Sequence, residues 1–123
     1  MSDLNTISES IRAAMIAKNA ARDSAIARSR ELIRYCAESI RAIHRREWDI
    51  AETKMALAQQ GADDLRGGTT AYPDLYHSGY TQDALKEVVE AFCTNAIVRN
   101  LPLPSPADLQ VEEATYLNGL AEA

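Results

Sequence analysis

Residues 3–44, DLNTISESIRAAMIAKNAARDSAIARSRELIRYCAESIRAIH, run without a single glycine or proline. Ile7, Ile11, Met15, Ile26, Ile33, Cys36 and Ile40 recur through this stretch at helical spacing. At 100° per residue they fall within an arc of about 100°, which predicts one long amphipathic helix with a core-facing stripe. Ser2 and Asp3 are the candidate caps for its start. Working outward, the pattern shifts phase around Arg45 to Trp48, and a second helix is predicted from Asp49 to about Leu65, with Gly67-Gly68 just past its end. Pro73-Asp74 opens a third helix that extends to about Arg99, with an irregularity at Ser78-Gly79. The prolines at 102, 104 and 106 remove amide donors and force extended backbone, so no helix crosses them. Ser105-Pro106 reads as the cap and first position of a short helical turn, and a last helix runs from about Glu112 to the end. No strand-like alternation competes, so the expectation is one all-α domain over residues 1–123.

Composition agrees. Hydrophobic residues make up 46% of the 123, but 21 residues are alanine and only seven are Phe, Tyr or Trp, which suits close helix packing within or between chains. A helix of some 40 residues is about 60 Å long, more than a chain of this size covers by itself, so self-association into a homo-oligomer is expected. Cys36 and Cys93 form no CxxC pair, and the amino terminus has no apolar signal segment, which points to a reducing, cytoplasmic setting. No window approaches the roughly 18 apolar residues of a membrane span.

The net charge of −5 would argue against a nucleic-acid partner, but the charges are unevenly placed. Residues 1–46 hold nine Lys/Arg and five Asp/Glu, whereas residues 47–123 hold four and thirteen. Arg12, Arg30, Arg34, Arg41 and Arg45 fall within an arc of about 60° on the first helix, a guanidinium stripe able to follow phosphates without reading sequence. Glu9, Asp23 and Glu38 lie on or beside it, and a stripe of this kind taken alone is more often an ordinary solvated face. On the third helix Asp83, Glu87 and Glu90 stand at i, i+4 and i+7, three carboxylates on one face. Like charges at this spacing repel. A divalent ion with hard-oxygen preference would give the cluster a purpose, and flanking cations such as Lys86 would give it a bland one. His44 and His77 stand apart from any Cys/His grouping, which argues against zinc. Trp48, Tyr72, Tyr76 and Tyr80 read as packing residues at helix junctions. There is no Gly-rich phosphate loop and no nucleophile elbow.

Three separated runs, in order, carry a resemblance. They are residues 29–47, SRELIRYCAESIRAIHRRE; residues 72–91, YPDLYHSGYTQDALKEVVEA; and residues 116–121, YLNGLA. Together they resemble the translin and TRAX family in its shorter archaeal and bacterial form. The resemblance implies a translin-like antiparallel helical bundle that assembles into closed oligomers, binds single-stranded RNA or DNA, and in TRAX-like members cuts RNA with Mg²⁺ (or Mn²⁺). It also implies site residues. Glu87 and Glu90, followed by Ala91, match the family's Glu-x-x-Glu-Ala, and Glu122, just after Gly119-Leu120-Ala121, stands where the family has Asp. Catalytic and metal-holding roles are therefore expected for Glu87, Glu90 and Glu122, with Asp83 as a further metal ligand, and nucleic-acid binding for Arg30, Arg34, Arg41 and Arg45. Family members continue for further helices and a further glutamate, so the C-terminal part of the family fold is expected to be absent from these 123 residues. The rival expectation is a non-catalytic nucleic-acid-binding or purely structural helical oligomer of the same fold.

Overall fold

The structure, a computed structural model, describes residues 3–123. It is 84% helical, with no strand among the described residues. Helix α1 spans Leu4–His44, and the Thr6 amide donates to Asp3 Oδ1 at 2.8 Å, so Asp3 is its cap; Ser2 lies outside the described residues. Arg46, in the left-handed region at φ 57°, turns the chain into α2, Trp48–Thr69. The second helix runs back along α1. Arg28 Nη1 donates to the Asp64 carbonyl at one end of the pair, and Lys54 meets Glu38 toward the other. The short α3, Pro73–Tyr76, leads to α4, Gly79–Arg99, with Ser78 extended between them, so the irregularity at Ser78-Gly79 is a true helix break. At its far end Arg99 pairs with Glu52 and stacks over Trp48 at 4.2 Å. This places the end of α4 beside the start of α2.

Two expectations need correction. The stripe from Ile7 to Ile40 is not the buried seam of α1. That seam is Ala25, Ser29, Leu32, Cys36, Ser39, Ala42 and Ile43. Of the seven stripe residues only Cys36 is fully buried, while Ile7, Ile11 and Met15 are about half exposed or more. The seam is built of small residues because α2 and α4 press close, with Ala58, Ala62 and Leu65 from α2 and Ala84, Leu85, Val88 and Ala91 from α4 meeting Leu32 and Cys36. In the first half of α1 the apolar side chains Leu4, Ile7, Ile11, Met15 and Ile16 are exposed, and Lys18 pairs with Asp74 of α3 at 2.8 Å. Gly67 and Gly68 are also not beyond α2 but inside it. Leu65 and Thr69, one turn apart, are both buried and carry the helix onward, and a Cβ at Gly68 would lie 2.8 Å from Arg28 Nη1.

After Asn100, whose left-handed backbone ends α4, the proline segment leads to α5, Pro106–Leu109, closed by a Ser105–Asp108 capping box. Helix α6, Glu113–Glu122, then crosses α4. Leu109 packs with Val89 and Cys93, the Thr115 hydroxyl donates to Gln82 at 2.7 Å, and the Tyr116 hydroxyl donates to the Pro104 carbonyl at 2.7 Å. These contacts fix α6 on α4 and decide where its last turn falls.

Candidate metal centre on helices four and six

Gly119 sets the approach of the two helices. A Cβ there would lie 2.5 Å from Val89 Cβ and 2.7 Å from the Lys86 carbonyl, so no side chain fits. One turn later, Glu122 reaches the face of α4 on which Glu87 and Glu90 stand. One carboxylate oxygen from each of Glu87, Glu90 and Glu122 lies within 4.8 Å of the others. Asp83 is not brought into this group; it is exposed, and its charge acts on Lys86.

Lys86 completes the cluster. Its Nζ lies 3.1 Å from Glu122 Oε1 and 3.7 Å from Glu87 Oε1. The hydrogen bond to Glu122, seconded by the charges of Glu122, Glu87 and Asp83, holds the ammonium above its ordinary range. Glu90 moves the other way from a usual carboxylate. Desolvation, then a hydrogen bond shared with Glu87 and the charges of Glu87 and Glu122, push it up to about 7. Beneath them is Cys36 of α1, whose thiol is raised to about 12, chiefly by burial and then by Glu87 and Glu90. Hence α1 supplies the apolar floor, α4 two carboxylates and the lysine, and α6 the third carboxylate.

The donor set fits a hard divalent cation. Three carboxylate oxygens within 4.8 Å of one another match the spread of oxygens bound at about 2.0–2.6 Å around Mg²⁺, Mn²⁺ or a similar ion. A carboxyl raised first by desolvation and then by its acidic neighbours, as Glu90 is, is also stabilised in its charged form by any cation placed beside it.

The arginines sit elsewhere. Arg30, Arg34, Arg41 and Arg45 are all exposed. Arg34 pairs with Glu38 at 3.7 Å and Arg45 with Glu47 at 3.9 Å, while Arg30 and Arg41 form no ion pair among the described residues. At 100° per residue the stripe lies roughly 140° around α1 from Cys36, so it faces away from the carboxylates. Trp48, Tyr76 and Tyr80 pack against the core clusters, as packing residues should. The sequence shows Lys86 as a cation flanking the carboxylates, but not its reach to Glu122 or the crossing at Gly119. The one available signal was the glycine three residues before Glu122, a place where two helices can touch.

Together these elements define a translin/TRAX-like helical fold. The chain is similar to a solved structure described as the crystal structure of apo-NeC3PO, with a TM-score of 0.82 and 19% sequence identity, over 97% of this chain and 62% of that one. At that identity the likeness is one of fold. No protein-family profile matches the sequence, and no curated protein does. Among the described residues no helix is long and apolar enough to cross a membrane.

Proposed function

We propose that this chain is a translin-type protein that binds single-stranded RNA or DNA and carries a TRAX-like, Mg²⁺-dependent endoribonuclease site, with Mn²⁺ as an alternative ion. The observation that carries this reading is the convergence of Glu87 and Glu90 from α4 with Glu122 from α6, within 4.8 Å. A solvated acidic face needs only one helix; this group is assembled across two, at a crossing that excludes even a methyl group at Gly119.

In this reading Glu87, Glu90 and Glu122 would hold the cation. When bound, the ion supplies Lewis-acid polarisation of a phosphodiester and a more acidic water. The exposed guanidinium groups of Arg30, Arg34, Arg41 and Arg45 hold backbone phosphates. Homo-oligomer formation belongs to the same reading, supported by Leu4, Ile7, Ile11 and Met15, all exposed on the uncovered part of α1.

The test is incubation of the purified protein with single-stranded RNA in Mg²⁺, in Mn²⁺ and in chelator. Cleavage in either metal and none in chelator is expected; no cleavage under any condition sinks the nuclease reading. A second reading, a binding protein without catalysis, draws on the Lys86 contacts to Glu122 and Glu87, which already supply the cluster with one positive charge. Retention of a labelled oligonucleotide without cleavage selects it.

A further inference from the structure

Lys86 stands at the edge of the place where the proposed ion would sit, paired with Glu122 and Glu87 but not with Glu90. Its ammonium is 3.1 Å from Glu122 Oε1 and 3.7 Å from Glu87 Oε1, two of the three candidate ligand residues, and its side chain is only 23% exposed. It reaches this place because α4 puts it one residue before Glu87, while the close crossing at Gly119 delivers Glu122 from the other side. The other cations of residues 47–123 are engaged apart from it: Lys54 with Glu38, Arg66 with Asp63 and Arg99 with Glu52. Lys86 is therefore the one cation paired with the cluster among the described residues.

Resting on the metal reading above, we infer that Lys86 is the resident counter-cation of the Glu87–Glu90–Glu122 cluster, and that a divalent ion must displace its ammonium to enter. One group then does two jobs. Without metal, Lys86 holds α6 on α4 through Glu122 and offsets the mutual repulsion of the carboxylates. With metal, the same ammonium is a like charge beside the ion, so it swings out toward solvent and Glu122 exchanges Nζ for the cation. The lysine thereby sets the concentration at which the ion enters. Methionine keeps most of the length and apolar character of the lysine stem and removes the charge.

The experiment compares Lys86→Met, Lys86→Arg and the unmodified protein by Mn²⁺ binding, read from the paramagnetic resonance of free Mn²⁺, and by metal-free melting temperature. A charge at this distance shifts a neighbouring equilibrium by one log unit or more, so Lys86→Met is expected to bind Mn²⁺ about tenfold tighter or better. It is also expected to melt lower without metal. Lys86→Arg, which keeps the charge, should stay near the unmodified protein in both. Mn²⁺ binding by Lys86→Met alone supports the inference equally. If the unmodified protein binds Mn²⁺ and Lys86→Met binds it no tighter, Lys86 is not the competing cation and the inference falls while the metal reading stands. If neither binds Mn²⁺, the metal reading falls and takes the inference with it.

Discussion

Gly119 lies against Val89 so closely that a Cβ on the glycine would sit 2.5 Å from the valine Cβ. The other close atom, the Lys86 carbonyl at 2.7 Å, is backbone and cannot turn aside. Gly119→Ala must therefore push α6 off α4. Overpacking of this kind costs about 1–3 kcal/mol, read as a lower denaturation midpoint with an unchanged slope. Glu122 moves with the helix, so any Mg²⁺-dependent cleavage should drop by more than the smaller folded fraction explains.

Glu90 gives a pH dependence with a definite sign. Its carboxyl is raised from 4.5 to about 7, so the folded protein binds this proton more tightly than the unfolded chain does. Between those values the native state holds more protons, and stability falls as pH rises. Glu90→Gln removes that term. In metal-free buffer the variant should show a flatter melting profile from about pH 4.5 to 7 and a higher melting temperature above it, measured by dichroism. A profile matching the unmodified protein across the window would show that Glu90 is not the group held protonated.

These elements differ in how openly the sequence displays them. The length of α1 is legible because no glycine or proline interrupts it. Its buried face is less so: Ala25, Ser29 and Ser39 line the seam, and a pattern ranked by hydrophobicity favours Ile7, Ile11 and Ile33 over them, although these are exposed. Gly67 and Gly68 suggest a helix end that the buried Thr69 overrides. Glu87 and Glu90 can be paired from helical spacing alone. Glu122 joins them only through contacts between residues more than 30 apart in sequence, Thr115 on Gln82 and Glu122 on Lys86, which periodicity does not encode.

Nucleic-acid binding should be separable from cleavage, because the arginine stripe faces away from the carboxylates. Replacing Arg30, Arg34, Arg41 and Arg45 by Ala should weaken single-strand binding and lower the slope of log affinity against log salt by about 0.7 for each phosphate no longer neutralised. All four are exposed, so the helical dichroism should not change. An unchanged slope would make the stripe a solvated face.

Self-association should run through the uncovered half of α1. Ile7 and Ile11 are 47% and 55% exposed, and burying such side chains is worth roughly 1.5–3 kcal/mol each. Light scattering at micromolar concentration is expected to report an oligomer, and Ile7→Asp with Ile11→Asp should reduce it to a smaller species of intact helicity. A monomeric unmodified protein would refute the expectation.

The last prediction concerns the glutamate that stands in place of aspartate. Glu87→Gln and Glu90→Gln keep side-chain shape but remove the charge that holds a cation, so each should abolish Mg²⁺-dependent RNA cleavage while leaving oligonucleotide binding intact. Glu122→Asp is a finer probe, because it shortens a side chain whose position is set by the Gly119 crossing and whose Oε1 accepts from Lys86 at 3.1 Å. Withdrawing that oxygen by one methylene breaks the hydrogen bond from Lys86, so the metal-free melting temperature should fall. Cleavage should fall as well, since the crossing on α4 holds the backbone fixed and the shorter carboxylate no longer reaches the space shared with Glu87 and Glu90. A rise in cleavage would instead mean that the longer side chain misplaces the ion and that aspartate suits this site better. If the unmodified protein, Glu122→Asp and both Gln variants all leave RNA intact in Mg²⁺ and Mn²⁺, the cluster is a Lys86-neutralised structural contact and nucleic-acid binding is the function left to test.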